Sequence, residues 1–332
     1  MIRFATIGTN FVVDWFLKAA SQCGELQYEA AYSRSEDTAR AFGARYGAKG
    51  YCTDLMELAG RGDIDAVYVA SPNSLHFEQA ALMLMNGKHV LCEKTITSNP
   101  MELKTLLRLA EEHQVTVMEA MRSVFDPGFQ IIRENLVRLG RIRRVTFQYG
   151  KYSSRYDSFK KGIVENAFNP AFSNGALTDI GVYCIHPLVK LFGLPKQIHA
   201  EGLLLENGVD GAGTILASYD GMQAELLYSK ISDNRLPSQI QGEEGTMVIR
   251  EIPNPYEVAF YDRKGNKEVL VSHENELNMI HEIREWINVI EGRSQAALHN
   301  QYSLMELEVM EEVKKQLGIH FPADKEELWK RY

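Results

Sequence analysis

Cysteine is scarce in this 332-residue chain, which has only Cys23, Cys52, Cys92 and Cys184, with no C-x-x-C pair and no tight Cys/His cluster. That scatter argues against a disulfide framework and a structural zinc site, so reduced, buried thiols and no metal are expected. Long apolar runs are missing as well: none approaches the roughly 20 residues that cross a bilayer. Met1 leads straight into a strand-like Ile2–Ile7 without a basic segment or a long apolar one, so no secretion signal and a cytoplasmic location are expected. Basic charge is in deficit, with a net charge of −8 and no basic stripe interleaved with aromatics, which disfavours a polyphosphate partner. Repeats and low-complexity tracts are also missing.

What remains is an ordinary globular composition, 45% apolar and 24% charged, which removes the disordered and fibrous classes. The length predicts two domains. From the start, β-rich runs alternate with helical patterns: Arg3–Ile7 then Val13–Ser21, Tyr28–Tyr32 then Asp37–Tyr46, Ala66–Ala70 then Ser74–Met85. Val90–Cys92, Pro100–His113 and Thr116–Glu119 complete the series. Such alternation predicts right-handed βαβ units and a doubly wound parallel sheet, a Rossmann-type α/β domain over residues 1–120.

Residues 121–332 read differently. A helix at Pro127–Leu139 precedes strands without intervening helices, at 142–150, 198–205, 213–219, 223–229, 246–250 and 256–261. Turns such as Asp220-Gly221 and Arg263-Lys264-Gly265-Asn266 join them, which predicts an α+β domain with a large, mainly antiparallel, open-faced sheet. An apolar open face needs cover, either from helices at Glu276–Ile290 and Ser303–Leu317 or from a second subunit.

In the first domain four places could carry chemistry. The first strand-to-helix turn, Gly8-Thr9-Asn10-Phe11, keeps only the first glycine of a G-x-G-x-x-G dinucleotide fingerprint, with Asn10 as the best non-glycine substitute where φ is positive. After the second strand, Ser33-Arg34 stands where an NAD enzyme places an acid; a guanidinium beside a hydroxyl suits a 2′-phosphate, so NADP is preferred over NAD. Glu36 or Asp37 could approach the ribose instead, leaving Arg34 in solvent. After the third strand, Ser71-Pro72-Asn73-Ser74-Leu75-His76 sets Asn73 and His76 over the crevice, with Pro72 stiffening the turn and Ser74 as a candidate helix cap. Glu93-Lys94 closes an apolar strand at the edge where open parallel sheets bind ligands.

The second domain holds Asp179-Ile180-Gly181-Val182-Tyr183, where helical spacing puts Asp179 and Tyr183 on one face. Pro187 follows and predicts a kink. The segment 152–174 is expected to line a pocket, with Tyr152, Arg155, Tyr156, Asn166 and Asn169 as candidate substrate contacts, although a structural loop explains each of them equally well.

Together the Gly8 turn, Ala70–His76, Glu93-Lys94, Glu119–Arg122, Asp179–Tyr183 and Leu191-Phe192-Gly193 resemble the glucose-fructose oxidoreductase, inositol dehydrogenase and rhizopine-catabolism (Gfo/Idh/MocA) oxidoreductases. The tyrosine at 183 looks like the glucose-fructose oxidoreductase and dimeric dihydrodiol dehydrogenase branches. The resemblance implies hydride transfer between a nicotinamide and a carbinol or carbonyl carbon of a sugar, polyol or dihydrodiol-like substrate. It further implies Lys94 contacting substrate and nicotinamide ribose, Asp179 binding substrate hydroxyls, Tyr183 as acid/base, and a homodimer or higher homo-oligomer built on the second sheet. Thr95 departs from the family's usual proline after the lysine. The chemistry agrees with the roles: a carbinol that loses hydride must also lose a proton, and an ammonium beside a tyrosine favours phenolate. A non-catalytic dinucleotide- or sugar-binding regulator of the same fold is the alternative.

Overall fold

The computed structural model describes residues 1–273, 277–325 and 328–332. It divides into two compact units. Met1–Met121 is joined by Leu277–Gln301 and the carboxyl-terminal residues to Tyr332; the second unit comprises the described residues of Arg122–Glu276 and Tyr302–Glu326.

In the first unit six strands, β1 (Ile2–Ile7), β2 (Leu26–Tyr32), β3 (Gly50–Cys52), β4 (Ala66–Val69), β5 (His89–Glu93) and β6 (Val117–Ala120), form a sheet in the order β3-β2-β1-β4-β5-β6. Every pairing is parallel. The strand order reverses between β1 and β4, and in such sheets ligands bind beyond the carboxyl ends of the strands at that point. The connecting helices are α1 (Phe11–Ala20), α2 (Glu36–Tyr46), α3 (Leu55–Gly60), α4 (His76–Met85) and α5 (Pro100–Glu112). All residues of β4 are buried, as expected of a strand covered on both faces. Strand β3 and helix α3 escape a reading by periodicity because three and six residues are too few to show a period.

Several helix starts have a local cause. Asn10 caps α1 by accepting from Val12 N (3.0 Å) and Val13 N (3.3 Å). Asn99 caps α5 by accepting from Glu102 N, with Pro100 in the first turn. Ser74 caps nothing: Asn73–Leu75 is a 3-10 turn and α4 begins at His76 without a side-chain cap.

The second unit carries an eight-stranded sheet in the order β14-β13-β12-β11-β7-β10-β9-β8. Its strands are β7 (Ile142–Gly150), β8 (Gln197–Leu204), β9 (Asp210–Tyr219), β10 (Met222–Ser229), β11 (Ser238–Gly242), β12 (Gly245–Ile249), β13 (Glu257–Asp262) and β14 (Lys267–Ser272). All neighbours are antiparallel except β7 and β10, which are parallel. The Asp220-Gly221 turn joins β9 to β10, and the Asp262 carboxylate holds the β13–β14 turn by accepting from Lys264 N and Asn266 N. Helices α6 (Pro127–Asn135), α7 (Ser154–Phe159) and α8 (Val182–Phe192) belong to this unit. Helix α8 lies against the inner face, with Cys184 Sγ reaching Leu227 O at 3.9 Å. It runs on through Pro187.

The predicted division into 1–120 and 121–332 therefore misplaces one stretch. Helix Met279–Ile290 packs on α1, with Trp286 edge-on to Phe16 at 6.3 Å, so it covers the parallel sheet's helical layer rather than the antiparallel sheet. The expected start of that helix, Glu276, lies outside the described residues. Helix Ala297–Leu317 does reach the second sheet: Gln316 bonds to both Ala200 N and Ile198 O of β8.

Candidate active site

The residues expected to hold a dinucleotide sit around the switch point of the first unit. Gly8 has a φ of +116°, and a Cβ on it would lie 2.6 Å from the Ala70 carbonyl oxygen, so glycine is required where the ends of β1 and β4 meet. Asn10 corrects the expectation of positive φ. Its φ is −85°, and it serves as helix cap while its Nδ2 donates to Ala70 O at 2.9 Å, tying the same two strand ends together. Thr9 is half-buried, and Phe11 is exposed and packs edge-on to Trp15.

Arg34 is exposed and makes no ion pair among the described residues, while its acidic neighbours are engaged: Tyr51 donates to Glu36 at 2.7 Å and Arg40 pairs with Asp37 at 2.8 Å. The Ser33 hydroxyl accepts from Ser35 N at 3.4 Å. Ser71 Oγ is sheltered from solvent and has no hydrogen-bond partner among the described residues, and Pro72 and Asn73 are half-buried beside it. A buried hydroxyl without a partner costs stability unless something pairs with it. Gly8, the amino end of α1, the orphaned Ser71 hydroxyl and the uncommitted Arg34 thus fit a phosphorylated dinucleotide.

His76 does not face the crevice. It is fully buried, with Nδ1 2.9 Å from Thr95 O and Nε2 2.8 Å from Ser71 O, so it fastens two loops to each other. Burial lowers its affinity for a proton, against the pull of both carbonyls.

Glu93 is buried too and accepts a short hydrogen bond from the Tyr68 hydroxyl. Burial, then the Glu93 charge, drives the Tyr68 phenol well above its usual range, leaving it a donor. The Glu93 carboxylate also accepts from Lys94 N at 3.3 Å, and Glu119 accepts from Ile96 N at 2.9 Å. Two buried acids thereby anchor the backbone around half-buried Lys94, where the Lys94–Thr95 peptide is cis.

The second unit places Asp179 and Tyr183 on one continuous rise. Residues Leu177–Gly181 form a π-helical turn that passes directly into α8. The expected plain α-helical register for Asp179 is thus a wider one, a feature common where helices carry functional groups. Asp210, buried at the head of β9, accepts from Leu177 N at 2.6 Å and pins the start of that turn. Burial, offset in part by those amides, pushes the Asp210 carboxyl up to about 6. Asp179 Oδ2 pairs with Lys230 Nζ at 2.8 Å. The largely buried Tyr183 ring has the Arg122 guanidinium 5.4 Å from its centroid and Tyr149 edge-on at 5.7 Å. Arg122 itself is held by Asn254 and by Pro253 O.

The segment 152–174 engages mostly with itself. Tyr152 donates to Asp157 and accepts from Lys160, Arg155 pairs with Glu165 at 3.5 Å, and Asn166 gives its carbonyl to Asn174. Asn169 caps its own 3-10 turn, and Tyr156 packs on Tyr152, Phe159 and Phe168. Arg155 and Asn166 remain exposed. Arg122 lies inside the Glu119–Arg122 stretch of the resemblance but carries no role there, and no periodicity or motif marks Asp210 or Lys230; the one available signal is that Lys230 follows directly on a strand end, as Lys94 does.

The family of oxidoreductases with an NAD-binding Rossmann fold, GFO/IDH/MocA, matches residues 2–121, and the GFO/IDH/MocA C-terminal domain matches residues 130–248. The chain belongs to this family. It is 46% identical, over 98% of its length and 99% of the relative's, to scyllo-inositol 2-dehydrogenase (NADP(+)) IolU of Bacillus subtilis. It is 27% identical, over the same shares, to mouse trans-1,2-dihydrobenzene-1,2-diol dehydrogenase. In fold it is similar to KijD10, a 3-ketoreductase from Actinomadura kijaniata solved with NADP, at a TM-score of 0.83 and 23% identity, covering 95% of this chain and 97% of that one. As a GFO/IDH/MocA protein it has the Rossmann sheet and large mainly antiparallel sheet that its residues led us to expect.

Proposed function

We propose that this chain is an NADP-dependent oxidoreductase that moves a hydride between the nicotinamide and a carbinol or carbonyl carbon of a polyol, sugar or dihydrodiol-like substrate. The observation that carries the reading is the half-site in the second unit, a carboxylate and a tyrosine one turn apart on a π-to-α rise pinned by Asp210. Names among the relatives, an inositol and a dihydrodiol dehydrogenase, favour vicinal hydroxyl groups as the substrate class. Arg34, exposed while Glu36 and Asp37 are engaged, favours the 2′-phosphate of NADP.

A bound nicotinamide would accept or supply the hydride. In the oxidative direction the carbinol proton goes to Tyr183 Oη, Lys94 steadies the oxygen as negative charge grows on it, and Asp179 accepts from a neighbouring hydroxyl and so orients the carbon. In reduction the same groups return the proton. The partner we assign to the open face of the second sheet is a second copy of the chain, because the outward residues Leu203, Leu216, Leu227 and Val269 are exposed there. A cytoplasmic location belongs to the same reading, in keeping with four buried, unpaired cysteines and, among the described residues, no helix long and apolar enough to cross a membrane.

The test is fluorescence titration with NADPH and NADH, then a polyol and dihydrodiol screen at saturating cofactor. NADPH is expected to bind more tightly, and Tyr183→Phe and Lys94→Ala are each expected to lower turnover by at least about 100-fold. Tight NADPH binding without turnover of any compound would instead favour a regulatory binding protein.

A further inference from the structure

A lysine is seldom buried, because its ammonium loses water that only strong partners replace. Lys230, the residue after β10, is 2% exposed. Its Nζ donates to Asp179 Oδ2 at 2.8 Å and to Ala167 O at 2.7 Å, and it lies 4.8 Å from the centre of the Phe168 ring. Those partners come from two different segments: the π turn that carries Asp179, and the 3-10 turn Asn166–Phe168 of the segment expected to line the pocket. Its backbone is fixed as well, since Lys230 N donates to Gly211 O and Ser153 N donates to Lys230 O, both at 2.9 Å. The ammonium therefore sits at a set position before any substrate arrives, whereas the carboxylate it grips is 37% exposed and faces solvent in part.

From this geometry we infer that Lys230 is a positioning residue, which fixes the Asp179 carboxylate in its charged form and one orientation and couples it to the Asn166–Phe168 turn. The inference rests on the proposed dehydrogenase reading and deepens it, since it names what makes Asp179 a usable acceptor for a substrate hydroxyl. An unpaired carboxylate near the reacting oxygen would repel the negative charge that grows there; the ammonium cancels that field while leaving a hydrogen-bond acceptor in place. Tying Ala167 and Phe168 to the same ammonium means that a shift of the substrate loop is felt at Asp179. The titratable and charged groups on the elements packed against the π turn are Asp210 and Tyr219 of β9, Arg143, Arg144 and Tyr149 of β7, Glu225 and Tyr228 of β10, and Tyr183, Cys184, His186 and Lys190 of α8. Asp210 feels Lys230 too, which draws its carboxyl down against the effect of burial.

The test compares Lys230→Met, which keeps length and removes charge, with Lys230→Arg, which keeps charge, and with Asp179→Asn and the double variant. NADPH titration and thermal melting check that each variant is folded. The Asp179 carboxyl is titrated by carbon NMR, and Lys230→Met is expected to raise its midpoint by about one pH unit or more, because an opposite charge within hydrogen-bond range has gone. In kinetics, kcat/KM is expected to fall about 10- to 100-fold with its acid limb moved to higher pH. Lys230→Arg should restore the limb, and the double variant should be no worse than Asp179→Asn alone. An Asp179 midpoint unchanged in a folded Lys230→Met variant, or losses that multiply in the double variant, overturns the inference. Because the NMR titration needs no turnover, an inactive wild-type protein with a shifted Asp179 midpoint would overturn the dehydrogenase reading while leaving the Lys230–Asp179 coupling established.

Discussion

The two sheets solve burial in opposite ways. The parallel sheet hides both faces, so Val67, Tyr68 and Val69, successive residues pointing alternately up and down, are all fully buried. The antiparallel sheet hides one, so in β10 Leu226 is buried and Leu227, the next residue, is 38% exposed. Each nonetheless has a lysine directly after one of its strands. Lys94 follows β5 and is steered through its backbone by buried acids; Lys230 follows β10 and is itself buried, steering an acid. The difference teaches that a strand end in a doubly covered sheet can present a side chain outward from a rigid frame. In a sheet covered on one face, the inner strand ends are free to act as internal clamps.

The most forceful way to break this comparison is to truncate neighbours in both sheets. Leu226→Ala is expected to cost about 2–5 kcal/mol and Leu227→Ala no more than about 0.5 kcal/mol in a dilute, dissociated sample, whereas Val67→Ala and Val69→Ala should both be costly. Urea unfolding measures all four, and a Leu227→Ala cost equal to that of Leu226→Ala would show that the outer face is covered within one chain. Sedimentation of Leu227→Glu sharpens the point, since a copy-to-copy interface on that face should weaken on gaining a charge.

Next in size is the pH response of the clamp region. The Asp210 carboxyl is raised to about 6, above its value in an unfolded chain. The protonated form is thus favoured on folding, and its stabilising contribution is full below about pH 4 and lost as pH rises through about 6. Relative to Asp210→Asn, the wild-type protein should lose up to about 3 kcal/mol across that window. A stability difference that is flat from pH 4 to 7 would remove Asp210 as the titrating group.

Last comes Arg34, where loss of one charge-assisted contact should weaken NADPH binding by about 1.5–3 kcal/mol and leave NADH unchanged. Equal losses for both cofactors in Arg34→Ala would mean that the guanidinium does not read the 2′-phosphate.

Much of the first unit was legible in the chain, because strands buried on both faces are continuous apolar runs and their helices carry local caps such as Asn99-Pro100. Strands β11 and β14 were not. In β11, Ser238-Gln239-Ile240-Gln241 has one apolar residue to count, and it pairs with β7 only through contacts nearly a hundred positions away. Asn10 stands at the expected turn in a different conformation from the expected one, since a cap and a positive-φ residue favour the same amino acids. At His76, polarity alone does not distinguish a crevice contact from the buried fastener it is.

By itself the sequence determined the identity of the secondary elements with clear period, the βαβ order, the family, and the candidate roles of Lys94, Asp179 and Tyr183. Only the tertiary structure decided that helix Met279–Ile290 returns to the first unit, that Asp179 rides a π turn, and that Lys230 and Asp210 hold it there. The reason is physical. Caps, periods and turns are set by residues a few positions apart, whereas a buried charge is defined by partners distant in the chain, and Lys230 lies 51 positions from Asp179.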